Sequence, residues 1–310
     1  MPLRVNINTK LLLLAGIAVG LWGCEQAGEA LTERYKRQND TEINQYIDKN
    51  GLRDKIQQTE VGTYYMVTTA VPTAQTANTG DEIQYHFIAR RLDGTIVDST
   101  EIAANVPNKF IAGVYSGITA GLYDGIINSG TVRGKGLRKG EAATLLVPSY
   151  LDNGRVGTLL LPQYAPIRYD VRVVNIRTED QQIEDYIAAN KLTITKKTDE
   201  GVRIAVTSPK PDSAYAQTGQ TASVLYKGKL LNGTQFDSRQ DSTNAFSFKI
   251  GEGSVIKAWD IALPLVRKGE TFILILPSTV GYGIAGSGSG STAIPPYAPL
   301  VFEIRVLSSK

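Results

Sequence analysis

Ile and Tyr recur at helical spacing in two short stretches, EINQYIDKNGL (42–52) and QIEDYIAANKL (182–192). This spacing predicts amphipathic helices over 41–50 and 181–190. Downstream of each, apolar and polar positions alternate with the two-residue period of half-buried strands. Asp93-Gly94 and Asn232-Gly233 each separate two such runs and predict tight hairpins. A further helix is predicted over SVIKAWDIAL (254–263), with Ser254 placed to cap it and Pro264 to help stop it. Val255, Ile256, Trp259 and Leu263 would share its apolar face. TFILILP (271–277) and LVFEIRVL (300–307) then read as strands, and GIAGSGSGSTA (283–293) as a loop long enough for a mobile flap. The expected fold class is α+β, an antiparallel sheet wrapped around one short helix.

The pattern occurs twice. GDEIQYHFIARRLDGTIVDS (80–99) returns as GQTASVLYKGKLLNGTQFDS (219–238), about 139 residues on. LRKGE (137–141) returns as VRKGE (266–270), and LPQYAPIRYDVRV (161–173) as IPPYAPLVFEIRV (294–306). A repeat of this length is a whole domain, too long for one turn of a solenoid. The expected organisation is a leader over 1–23, a polar tether over 24–40, a first domain over 41–178 and a second over 179–310.

Composition narrows the chemistry. The 310 residues are 42% hydrophobic, enough for a core in each domain, and the net charge of +3 comes from scattered Lys and Arg. No basic patch points to nucleic acid. There is one histidine, His86, and one cysteine, Cys24. No Ser-His-Asp triad, zinc site or thiol-redox pair can then be assembled without unusual partners, and neither metal nor cofactor is expected. Catalysis would have to rest on shape, burial, carboxylates and hydroxyls. His86 neighbours Phe87 in a strand and is expected on the opposite face, at the outer surface or in a local hydrogen bond. Asp124 and Asp260 are expected as solvated charges on their helices.

Arg4 and Lys10 precede the apolar run LLLLAGIAVGLW (11–22), which has the length of an export-signal core and is short for a membrane span. It ends in Leu21-Trp22-Gly23-Cys24, which resembles the lipobox of bacterial lipoproteins, although Trp22 departs from the usual small or aliphatic residue. The resemblance implies acylation at Cys24. It places the body in the cell envelope, held to a bacterial membrane and facing the periplasm or the cell surface. Acyl chains contribute roughly 0.8 kcal/mol per buried methylene.

The second copy resembles the FKBP-type peptidyl-prolyl cis-trans isomerases in the order and spacing of several motifs. These are YKGKLLNGTQFDS, FSFKIGEGSVIKAW, VRKGE, the GYG of 281–283 and IPPYAPLVFEI, within about 201–308. The resemblance implies two tandem domains of that fold and proline-containing polypeptides as partners. It also implies an apolar pocket with the Trp259 indole beneath the proline ring. Tyr226, Phe236, Phe246 and Phe302 would be its aromatic walls, with Val255 and Ile256 lining it and the Ile256 N–H binding a substrate carbonyl. Asp237 would be the pocket carboxylate, Tyr282 a hydroxyl bonding substrate, and Ile294 an apolar contact from the end of the flap. Some members pair that carboxylate with an arginine; Ser242 stands at the matching place, and Arg239 is the nearest candidate.

Prolyl isomerisation suits a chain so poor in nucleophiles. Its barrier of about 18–20 kcal/mol comes from amide resonance, so a dry pocket and a few donors that favour the twisted amide are sufficient.

The first copy matches the same template with different residues. Phe87 stands for Tyr226, Val97 for Phe236, about Asn108 for Phe246 and Asn153 for Tyr282, with Gly121 and Leu122 near the indole position. Asp98, Ile118 and Tyr169 remain. The copy also carries a glycine-rich insertion (128–136) and a flap shortened to RVGTLL (155–160). This predicts an emptied pocket, no pocket around Asp98, and a role as scaffold or binding domain. The alternative for the whole chain is accordingly a non-catalytic binding protein, chaperone or envelope assembly component.

Overall fold

The computed structural model describes residues 30–130, 135–152 and 156–310. The leader, Cys24 and Asn153 lie outside the described residues. In the first domain, helix α1 (Leu31–Lys49) precedes strands β1 (Gln57–Gln58), β2 (Tyr64–Thr69), β3 (Glu82–Arg91), β4 (Ile96–Ser99) and β5 (Asn108–Ile111). Helix α2 (Ala120–Asn128) and strands β6 (Ala142–Val147) and β7 (Ile167–Arg177) complete it. In the second, helix α3 (Glu179–Ala189) precedes β8 (Lys196–Lys197), β9 (Arg203–Ser208), β10 (Thr221–Leu230), β11 (Gln235–Arg239) and β12 (Phe246–Lys249). Helix α4 (Lys257–Ala262), β13 (Thr271–Leu276) and β14 (Leu300–Ser309) follow.

Each domain holds one antiparallel seven-stranded sheet, with orders β1-β2-β6-β7-β3-β4 and β11-β10-β14-β13-β9-β8. In each, one long strand divides its outer edge between two short ones. β3 pairs β5 over Glu82–Tyr85 and β4 over Ile88–Arg90, and β10 does the same with β12 and β11. A register shift falls at Gln84/Tyr85 of β3 and at the corresponding Ser223/Val224 of β10. Such an irregularity bends a strand, here between its two partners.

Both faces of each sheet are covered. Phe272, Leu274 and Leu276 of β13 join the core around α4, while Ile273 and Ile275 pack with Ile183 and Ile187 of α3. In β6, Leu145 faces α2 and Leu146 faces Ile43 and Ile47 of α1. A strand buried on both faces reads as an unbroken apolar run, hence TFILILP. A capping box in which Thr178 and Gln181 bond each other's backbone starts α3.

Residues 31–40, expected within a tether, form the first half of α1. Their polar composition conceals contacts to distant loops. Asn39 is fully buried, donating to the Tyr164 carbonyl (2.8 Å) and accepting from the Ser149 N–H (2.6 Å), and Tyr35 stacks on Tyr164 at 3.7 Å. The helix expected over 254–263 is shorter: α4 runs into a 3₁₀ turn at Leu263–Leu265 that contains Pro264. Ile256, not Ser254, holds its N-cap position, without a side-chain cap. Among the described residues, no helix is long and apolar enough to cross a membrane.

Candidate active site

The core of the second domain opens into a cavity of about 430 Å³ floored by Trp259, which α4 presents as its third residue. Four rings surround the indole. Tyr226 meets it edge-on at 5.1 Å, Phe302 at 5.4 Å and Phe246 at 5.9 Å, with Phe248 tilted at 5.5 Å. Phe236 stands edge-on to Phe302 at 5.5 Å. Edge-to-face contacts of this kind add about 0.5–1.5 kcal/mol each beyond area burial and fix the ring planes. The buried indole N–H meets no acceptor among the described residues, a cost of about 1–3 kcal/mol at this floor.

The polar side of the cavity is sparse. The Tyr226 phenol on β10 donates to Asp237 Oδ2 on β11 at 2.5 Å, and Asp237 Oδ1 accepts from the Ser238 N–H at 2.8 Å. Burial, then the hydrogen bond to Asp237 and its charge, push the Tyr226 phenol well above its ordinary value, so it remains a donor. Burial and Asp237 also raise Tyr282, which stands part-exposed at the rim. Asp237 makes no ion pair among the described residues, and Arg239 lies across from Tyr226 in the ladder. Val255 and Ile256 line the opposite wall. The Ile256 N–H, ahead of α4, meets no acceptor among the described residues.

Nine of the ten residues singled out from the sequence thus surround one cavity. Ile294 does not line it. It is buried in the core, its N–H donating to the Ser287 carbonyl (2.7 Å) and its carbonyl accepting from the Ser287 N–H (2.9 Å), which closes the base of the 283–293 loop. Sequence reading missed Gly228, where a Cβ would lie 2.6 Å from Phe236 and 2.8 Å from Phe302; only glycine lets both rings reach the strand. It also missed Gly253 and Ser254, which line the mouth. Asp260, expected as a solvated charge, is part-buried and accepts from the N–H groups of Gly251 (2.7 Å) and Gly253 (3.0 Å). It ties down the loop entering α4, and the Phe-Lys-Ile-Gly run ahead of it was the available signal.

In the first domain the pocket is re-lined, not emptied. A cavity of about 590 Å³ lies at the equivalent place, and Asp98 belongs to it. Leu122, third residue of α2, takes the place of Trp259. Tyr85 stands on β3 where β10 has Val224, so buried volume lost from the helix is partly returned from the sheet. Ala89 replaces Gly228, and its Cβ is tolerated because Val97 replaces Phe236. Tyr123 replaces Asp260: its hydroxyl accepts from the Gly113 N–H at 2.9 Å. Asp124, expected in solvent, is fully buried, accepting from the Thr59 hydroxyl (2.6 Å) and the Asn128 amide (2.8 Å). His86 is buried and, of the two places expected for it, takes the local hydrogen bond and not the outer surface; its ring nitrogens lie 3.0 Å from Thr100 Oγ1 and 3.3 Å from Asn105 Oδ1.

Residues 212–307 match the family model of the FKBP-type peptidyl-prolyl cis-trans isomerases, and the second domain is of that type. Peptidyl-prolyl cis-trans isomerase FKBP4 of Rattus norvegicus is 41% identical over 117 residues, covering 38% of this chain and 25% of that protein. Peptidyl-prolyl cis-trans isomerase FKBP9 of Rattus norvegicus is 27% identical over 251 residues, covering 81% of this chain and 38% of that protein. The second match is longer than either domain. The chain spans a quarter of the length of FKBP4. A crystal structure of the three FKBP domains of wheat FKBP73 aligns with 83% of this chain and 99% of its own, at 21% identity and a TM-score of 0.38.

Proposed function

We propose that the second domain catalyses cis-trans isomerisation of prolyl bonds in exported or envelope polypeptides, without covalent chemistry. The observation that carries this reading is the Trp259-floored aromatic cavity with its few fixed polar groups. A proline ring would lie on the indole between Phe236, Phe246 and Phe302, out of water. Rotation about the prolyl C–N bond makes the nitrogen pyramidal and the carbonyl ketone-like, so a dry wall favours the twisted amide over the strongly hydrated planar one. The Ile256 N–H and the Tyr282 hydroxyl would bond the carbonyls of a bound segment. The Tyr226–Asp237 pair holds a carboxylate beside the cavity in one orientation. Bringing a step of tens of seconds to milliseconds needs roughly 5–6 kcal/mol of preferential transition-state binding, within reach of these contacts.

Catalysis is tested by exchange between cis and trans forms of a proline peptide, read by NMR. The full chain should accelerate exchange, and the Trp259→Leu chain should do so about 100-fold less. Equal rates in both would overturn the reading.

The Cys24 segment supports a second part of the proposal, a lipid anchor that keeps both domains at a bacterial membrane within the envelope. Fatty-acid labelling should mark the chain and be lost in Cys24→Ser, which should also leave the membrane fraction. An unlabelled, soluble wild-type chain would sink it. The re-lined first cavity favours one further role, polypeptide binding without catalysis.

A further inference from the structure

The rim of the aromatic cavity is held from outside its own domain. Tyr282 stands at that rim, and Gly283 after it is fixed at both of its backbone groups. The Gly283 N–H donates to the Ser278 carbonyl at 2.9 Å, and its carbonyl accepts from the Tyr297 N–H at 3.0 Å. Ser278 is in turn tied to α3, where Glu179 accepts from its N–H (2.6 Å) and its hydroxyl (2.7 Å). Tyr297 has φ +57, a left-handed conformation that a bulky residue keeps only when its surroundings impose it.

What Tyr297 rests on belongs to the first domain. Its ring lies against Gly80, in the turn ahead of β3. The approach is so close that a Cβ at Gly80 would be 2.9 Å from the ring's Cδ1 and 3.3 Å from its Cε1. Gly80 is buried and its N–H donates to the Ala112 carbonyl at 2.8 Å, which ties the seat to the end of β5. Two residues on, Glu82 accepts from Arg177, which also reaches Asp185 of α3 at 2.7 Å. Only Thr178 separates β7 from α3. The first copy shows why a seat is needed. There the equivalent tyrosine, Tyr164 with φ +60, stacks on Tyr35 in the first half of α1. α3 lacks that half, because the chain before Thr178 is strand β7, so Tyr297 rests on the neighbouring domain instead.

We propose that the first domain is a positioning element for the second. Gly80 seats Tyr297, and Tyr297, through Gly283, sets where the Tyr282 hydroxyl stands at the cavity rim. Tyr297 is thus a positioning residue that acts through Tyr282. The inference rests on the isomerase reading of the second cavity and adds to it a dependence on the first domain.

The test uses the full chain with two readouts, prolyl exchange by NMR and amide hydrogen exchange across 281–297. Gly80→Ala puts a methyl group against the Tyr297 ring. Gly94→Ala is its control, since Gly94 has nearly the same φ (+96 against +93) but nothing within 4 Å of the added Cβ. Gly80→Ala should quicken amide exchange across 281–297 by at least about tenfold, and Gly94→Ala should not. Tyr297→Asn, which keeps a left-handed backbone but loses the ring, should act as Gly80→Ala does, and Tyr297→Phe should match the wild type. Gly80→Ala and Tyr297→Asn should each lower kcat/KM for prolyl exchange about threefold to tenfold. Neither should slow a Tyr282→Phe chain further, because the hydroxyl they misplace is already gone. Equal amide exchange in Gly80→Ala and Gly94→Ala, a Tyr297→Phe chain that behaves as Tyr297→Asn, or losses that add to that of Tyr282→Phe would each overturn the proposal. A wild-type chain that accelerates no prolyl exchange would instead overturn the isomerase reading, and the amide-exchange contrast would still decide whether Gly80 holds the rim.

Discussion

The two cavities are built on the same strands and the same helix register, yet one is narrow and aromatic and the other wide and acidic. In the second domain Trp259, Phe236 and Phe246 fill the space above the sheet; in the first, Leu122, Val97 and Asn108 leave it open. The differences come in compensating sets. Glycine at 228 goes with phenylalanine at 236, and alanine at 89 goes with valine at 97. Asp260 and Tyr123 offer an oxygen to the same loop N–H by different chemistry. A fold tolerates replacement of a pocket when each change is matched by the side chain it touches, because packing is conserved at the level of the pair.

Substitutions that convert one cavity toward the other test this account. The largest effect is expected from Trp259→Leu, which copies Leu122: prolyl exchange should fall about 100-fold, or about 2–3 kcal/mol of transition-state binding. The reverse change, Leu122→Trp, should create no activity, since the walls remain those of the first domain. Gly228→Ala should next cost about 1–3 kcal/mol of stability in the second domain, measured by denaturant unfolding, because the new Cβ meets two rings. Adding Phe236→Val should recover most of that stability but not the exchange rate. An uncoupled pair would break the comparison.

Acid should distinguish the domains more gently. Glu82 sits at the start of β3, and burial alone would raise its carboxyl. Hydrogen bonds from Arg177 and Gln84, with the charges of Lys109 and Arg177, outweigh burial and hold it below its ordinary value. A depressed carboxyl stabilises the fold above its unfolded value of about 4.5, and that contribution is lost as pH falls towards the folded value. The second domain has Thr221 at this position. Arg177→Met should therefore weaken the first domain by about 1–3 kcal/mol at neutral pH and flatten its acid unfolding.

The smallest effects concern phenols. Tyr226→Phe, which copies Phe87, should slow exchange by no more than about tenfold by releasing Asp237. Because Tyr226 and Tyr282 are both raised, exchange should be unchanged between about pH 6 and 9. Above pH about 10 the unfolded chain loses phenol protons that the folded one keeps. The folded state then binds more protons, and stability should decline as pH rises.

Much of this was legible in the residues. The 139-residue repeat and the Asp93-Gly94 and Asn232-Gly233 turns follow local rules of period and turn chemistry, and the ring set of the second cavity followed from the resemblance of its motifs to FKBP-type isomerases. What escaped lay in pairs distant along the chain. Asn39 reads as one polar residue among many until Ser149 and Tyr164 meet it. Asp124 reads as solvated until Thr59, 65 residues away, bonds it. Asp98 reads as stranded because Asp152 and Tyr169 approach it from another turn and another strand.

By itself, then, the sequence determined two copies of one α+β domain, and the resemblance of its motifs to FKBP-type isomerases named the aromatic residues of the second cavity. Only the tertiary structure decided that the first copy keeps a cavity, that Leu122 is the residue standing where the indole stands, and that two carboxylates share it. The reason is geometric. Periodicity states which face a side chain takes, but how tightly a sheet curls around its helix, and so which distant residues share a space, depends on the volumes of all the side chains between them.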